Sequence, residues 1–138
     1  MDYQKCTIPS KDSRIVVQEN RSKFEVINKN RIKINKVEVD GCLITDHREK
    51  CDWIISVDSL NRAFFIELKG CDVDKAISQL KSTLEHTNSE YKSYQRECFA
   101  VTTRIPKHGS SVRKKSLDFF KATNTTLSIK NLRSEITV

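Results

Sequence analysis

The spacing of apolar positions changes along the chain. In the first forty residues they fall in short β-branched runs at 14–18 and 23–27, separated by Glu19-Asn20-Arg21-Ser22. Such runs broken by turn-forming residues predict strands. Asn28 to Asn30 end the second run. A third covers 32–44, with Ile32, Ile34, Val37 and Val39 and a bend at Asp40-Gly41. The charged stretch 45–50 reads as a loop. Two denser strands follow at 51–57 and 63–69, joined only by Asp58-Ser59-Leu60-Asn61-Arg62. A connection that short makes them an antiparallel hairpin.

Beyond the hairpin the period lengthens. Asp72 is a candidate helix N-cap, and Val73, Ile77, Leu80 and Leu84 recur at helical spacing, predicting a helix over Val73–His86. Residues 97–103 (Glu-Cys-Phe-Ala-Val-Thr-Thr) read as a buried strand closed by Pro106 and Gly109. A second amphipathic helix over 110–122 is anchored by Val112, Leu117 and Phe120, and 125–130 forms a last short strand. This order predicts an α/β (α+β) fold with a central mixed β-sheet flanked by helices and a β-rich N-terminal part. No repeat or Gly/Pro-rich linker divides the chain, so 1–138 reads as a single domain.

Composition narrows the classes. With 138 residues and 37% hydrophobic content, one core is feasible and a wholly disordered chain is excluded. No apolar run approaches the roughly 18 residues a spanning helix needs. Residues 1–10 lack the apolar stretch of a signal peptide. The expectation is a cytoplasmic protein without a membrane partner. Five cysteines, Cys6, Cys42, Cys51, Cys71 and Cys98, are scattered without a tight framework and read as reduced thiols. The net charge of +7 is uneven: +3 over 1–50, −2 over 51–103 and +6 over 104–138. Basic flanks around an acidic middle suit a polyanion held by the flanks, although basicity also serves solubility alone.

The chemistry concentrates in the hairpin. Side chains alternate along a strand, so Ala63, Phe65, Glu67 and Lys69 share one face and Phe64, Ile66 and Leu68 the other. The strand is apolar on both faces until its end, the pattern of a strand buried on both sides whose end opens into a polar site. With the turn centred between Ser59 and Leu60, Asp52 falls opposite Glu67, with Cβ atoms about 4.5–5.5 Å apart. Like charges so placed repel. One carboxylate can stay protonated, Lys69 can neutralise the pair, or a divalent cation can bind between them, for which oxygen-seeking Mg²⁺ is suited. The plainer alternative is a solvated Glu–Lys pair worth under about 1 kcal/mol.

Asp52, separated by fourteen residues from Glu67-Leu68-Lys69 in a hairpin that leads to a helix and another strand, resembles the PD-(D/E)XK nuclease superfamily. The resemblance covers the core from Val37 to Thr103 and implies a restriction-endonuclease-like fold. It also implies a Mg²⁺ cofactor, for which Mn²⁺ can substitute. Asp52 and Glu67 would be metal ligands, the Leu68 carbonyl a backbone ligand and Lys69 the catalytic lysine. Gln79 corresponds to a glutamine that some branches carry on the following helix. Cys51 stands where a proline often precedes the first acid. The additional acid usually found on an N-terminal helix has no evident helix here; Glu38, or Glu25, would substitute.

Two further constellations stand out. Cys42, His47 and Cys51 could begin a zinc site, with Cys71 or Cys98 as fourth ligand, against a bland reading of buried thiols and a loop histidine. Lys107, Ser110, Arg113, Lys114 and Lys115 gather at the start of the second helix. Free N–H groups and cations there would take a nucleic-acid phosphate, or the cations are simply solvated. His86 and His108 have no partner pattern. The combined expectation is a Mg²⁺-dependent nuclease, an endodeoxyribonuclease by resemblance, guided by substrate structure or a partner protein rather than by stringent sequence reading. Cutting both strands would call for a homodimer or two successive events. The alternatives are an inactive nucleic-acid-binding or assembly subunit of the same fold, and a protein–protein adaptor or inhibitor module.

Overall fold

The apolar strands of the hairpin form the centre of the molecule. The computed structural model describes residues 1–68, 70, 72–104 and 109–138. Within it, β5 (Trp53–Val57) and β6 (Arg62–Leu68) pair antiparallel across a short 3₁₀ turn, Asp58–Leu60. Asn61 closes that turn in the left-handed region, φ 57°, which asparagine tolerates better than most residues. Trp53 lies opposite Ile66 and Val57 opposite Arg62, the register expected from the turn length.

Around this pair a six-stranded mixed sheet is built. On one side β4 (Ile34–Glu38) pairs with β5, and β1 (Thr7–Ser10) with β4, all antiparallel. On the other side β7 (Gln95–Thr102) and β8 (Thr126–Asn131) add in parallel. The parallel crossovers contain α2 (Val73–His86) with the short α3 (Asn88–Tyr91), and then α4 (Gly109–Thr123). Asp72 caps α2 by accepting the Lys75 N–H, as its side-chain chemistry predicts.

The two sheet faces are covered differently. Val37, Ile54, Phe65, Ala100 and Leu127 pack against Ala76, Leu80 and Leu84 of α2 and Phe119 of α4. The opposite face, with Ile55, Phe64, Ile66, Phe99 and Val101, packs against Ile15, Val17, Phe24 and Val26. These last residues belong to a separate three-stranded sheet of β2 (Arg14–Glu19), β3 (Ser22–Ile27) and β9 (Arg133–Thr137), in the order β2-β3-β9. The molecule is therefore mixed α/β, with helices flanking one face of the main sheet and a second sheet on the other. No helix is long and apolar enough to cross a membrane among the described residues.

Several expectations need correction. The run at 32–44 is a strand only over Ile34–Glu38; residues 39–44 form a turn held by Cys42 N–H to Val39 O and Ile44 N–H to Val39 O. In α4 the inward side chain is Phe119, while Leu117 and Phe120 are exposed. Ser116 and Val112, helical steps back from Phe119, are only partly buried. Cys6, at the end of α1 (Tyr3–Cys6), is disulfide-bonded to Cys42. The reduced reading fails for these two, because pairing depends on spatial approach rather than spacing, and cysteine usage no longer argues for a reducing compartment. Cys51 and Cys98 are free and buried, as expected.

Candidate active site

The carboxyl ends of the parallel strands β6 and β7, together with the N-termini of α2 and α4, define one rim of the main sheet. In α/β sheets this is the rim where ligands bind. Asp52 and Glu67 both lie there. Each is nearly buried, at 8% and 5% exposure. Glu67 sits on β6 two residues beyond Phe65, so it faces the α2 side of the sheet.

Asp52, immediately before β5, brackets Glu67. Its N–H donates to the Ile66 carbonyl at 3.1 Å. Its side-chain Oδ2 accepts the Leu68 N–H at 2.7 Å, taking the place of a main-chain acceptor. Bonds to the residues before and after Glu67 set Asp52 opposite Glu67 on the adjacent strand, continuing the register of Trp53 with Ile66. Burial pushes the neighbouring Cys51 thiol well up, and the negative charge of Glu67 and Asp52 pushes it the same way.

The α2 side is joined to this point through a residue that the sequence reading passed over. The fully buried Thr83 accepts the Cys51 N–H at 2.8 Å and donates its hydroxyl to the Gln79 carbonyl at 2.9 Å. That relay holds the Gln79 turn of α2 against the residue preceding Asp52. The available signal was a threonine on the core-facing stripe, between Leu80 and Leu84. Gly70 turns the chain from β6 towards α2 with φ +102°, a conformation side chains rarely adopt, and its carbonyl accepts the Thr103 N–H at 3.2 Å.

On its other side Asp52 lines a cavity of about 270 Å³ together with Gln18, Glu19, Glu38, Asp40 and Trp53. Glu38, opposite Trp53 in the β4–β5 register, lines this cavity beside Asp52, but on the second-sheet face, across the main sheet from the α2 face to which Glu67 points. Glu19 and Asp40 join it from β2 and the 39–44 turn, and no spacing in the sequence links them. Glu25 is not part of this group. It lies on β3 in the second sheet, where Arg14 and Lys23 pair with it at 2.5 and 2.6 Å and lower its pKa, so its candidacy as the additional acid is withdrawn.

Other predicted residues are placed less simply. Lys69, Cys71, Lys107 and His108 lie outside the described residues. Ser110 lies in the first turn of α4. Arg113, Lys114 and Lys115 fall in the second turn of α4 rather than at its start. Lys114 pairs with Asp118 at 3.0 Å and Lys115 with Asp74 of α2 at 2.5 Å, while Arg113 is exposed. The zinc alternative loses Cys42 to the disulfide.

Among the described residues no group of three or more His, Cys, Asp or Glu is disposed to hold a metal ion. The donor chemistry of Asp52 and Glu67 still fits a hard divalent cation such as Mg²⁺, which takes one or two carboxylates and completes its shell with water and phosphate oxygens. No family model, no curated protein and no solved structure matches this chain.

Proposed function

We propose that the protein is a Mg²⁺-dependent nuclease of restriction-endonuclease-like fold that hydrolyses phosphodiester bonds in DNA. The observation that carries this reading is the bracketing of Glu67 by the two hydrogen bonds of Asp52. It sets two nearly buried acidic residues opposite each other on adjacent strands, at the rim where α/β sheets bind ligands, which supports this reading. A bound Mg²⁺, held by Asp52, Glu67 and the Leu68 carbonyl, would polarise the scissile phosphate and acidify a water. Lys69, next in sequence, would orient that water and offset charge developing on phosphate oxygens. In the hydrolysis itself a water oxygen bonds to phosphorus, the bond to the leaving sugar oxygen breaks, and that oxygen takes up a proton. Gln79, on the turn joined to Cys51 through Thr83, would position substrate. Arg113, exposed on α4, would contact the backbone, and Lys107 and Ser110 belong to the same stretch of chain. Cutting both strands would take a homodimer or two successive events, and substrate structure or a partner protein would guide the cleavage.

The test is incubation of the purified protein with plasmid, branched and single-stranded DNA and with RNA, in Mg²⁺, Mn²⁺ or chelator. Metal-dependent cutting that is lost in Lys69→Ala supports the reading. Binding that weakens steeply with salt, without cutting, would instead identify an inactive nucleic-acid-binding subunit. Neither cutting nor binding would point to an adaptor or inhibitor module.

A further inference from the structure

The outer face of the second sheet carries a cluster that the nuclease reading does not use. Strands β3 and β9 run parallel with Lys23 directly opposite Arg133 and Glu25 directly opposite Glu135. Two cations thus stand one strand spacing apart, about 4.8 Å at the backbone. Arg14 enters from β2. Together with Ser134 these five charged residues line a cavity of about 300 Å³.

Glu25 organises the cluster. Its nearly buried carboxylate accepts from Arg14 Nη1 at 2.5 Å and pairs with Lys23 Nζ at 2.6 Å. The two cations hold it in the ionised form. A guanidinium has five N–H donors and an ammonium three, so one bond each to Glu25 leaves most of the donors on Arg14 and Lys23 for another acceptor. Arg133 enters no ion pair among the described residues and has all of its own. Three cations around one carboxylate, with Glu135 exposed at the margin, give the cavity a net charge of +1. Lys23, already paired with Glu25, stands opposite Arg133, so an anion between them would meet donors from both.

We propose that this cradle binds a phosphate group, with Arg14, Lys23 and Arg133 as donors and Glu25 as a positioning residue that fixes two of them. The phosphate belongs either to a nucleic-acid backbone or to a free phosphorylated small molecule. The proposal stands whether or not the chain cuts nucleic acid, because it uses none of the rim residues.

The experiment is a nuclear magnetic resonance titration of the whole chain in chelator, so that cleavage plays no part. Separate arms use inorganic phosphate and a short single-stranded oligodeoxynucleotide. The expected result is saturable movement of the Arg14, Lys23, Arg133 and Ser134 signals with both. Arg133→Ala, an exposed substitution, should weaken binding about tenfold, the loss of one charge-assisted contact. Glu135→Gln should tighten it, an effect that a merely structural ion cluster would not produce. Tighter binding of the oligonucleotide than of phosphate, lost in Arg133→Ala, assigns the site to a nucleic-acid backbone. Equal binding of the two assigns it to a free phosphorylated ligand. Signals that do not move, or that move equally in wild type and Arg133→Ala, overturn the proposal.

Discussion

Two regions of the molecule bury carboxylates, and they do so by opposite means. On the second sheet Glu25 is surrounded by side-chain cations, Arg14 at 2.5 Å and Lys23 at 2.6 Å. At the rim of the main sheet Asp52 is held by a main-chain N–H and set beside a second carboxylate, Glu67. The first arrangement gains from its charges as they stand. The second buries two acidic residues opposite each other on adjacent strands, a donor chemistry suited to a divalent cation. The difference separates a carboxylate that orders its neighbours from a pair that the proposed function puts to use.

That comparison can be sharpened by substitution. The largest effect is expected away from both carboxylate sites, in the core they share. Phe64 is fully buried between the two sheets against Phe24 and Phe99, so Phe64→Ala should cost about 3–5 kcal/mol by urea unfolding. A much smaller loss would mean that the second sheet does not pack as described.

At the rim, Asp52→Ala should cost about 1–3 kcal/mol, because the buried Leu68 N–H loses its acceptor. Asp52→Asn keeps an acceptor oxygen and should cost less. Both should lower metal-dependent cleavage by more than about 100-fold, dividing scaffold from chemistry. If Asp52→Asn cleaved like wild type, the carboxylate charge would have no role.

The smallest effect belongs to the second sheet. Glu25→Gln should cost about 1 kcal/mol at neutral pH, since Arg14 remains largely solvated. Its sign with pH is fixed. The folded pKa of Glu25 lies below its ordinary value, so its contribution is present above the unfolded value and is lost as pH falls through the folded one. Stability of Glu25→Gln should therefore vary less with pH in that acidic window than that of wild type. An identical pH profile would contradict the pairing.

What the sequence made legible follows from how local each signal is. The β5–β6 register could be read because a short turn fixes it, and α2 because its cap and apolar stripe agree. The second sheet as a separate layer could not be read. Its third strand, β9, lies far from β2 and β3 in sequence, and its burial comes from partners that no spacing reveals. For the same reason Glu19 and Asp40 emerged beside Asp52 only in three dimensions, as did the Cys6–Cys42 bond. Thr83 was passed over because a lone hydroxyl in an apolar stripe carries no statement of what it bonds.

The most direct test is a calorimetric titration of Mn²⁺ into the whole chain, alongside Asp52→Asn and Glu67→Gln. One saturable site in wild type that disappears in both variants, with their folds intact by circular dichroism, is the predicted result. No binding in wild type, or binding undiminished in the variants, would contradict a metal centre at this rim.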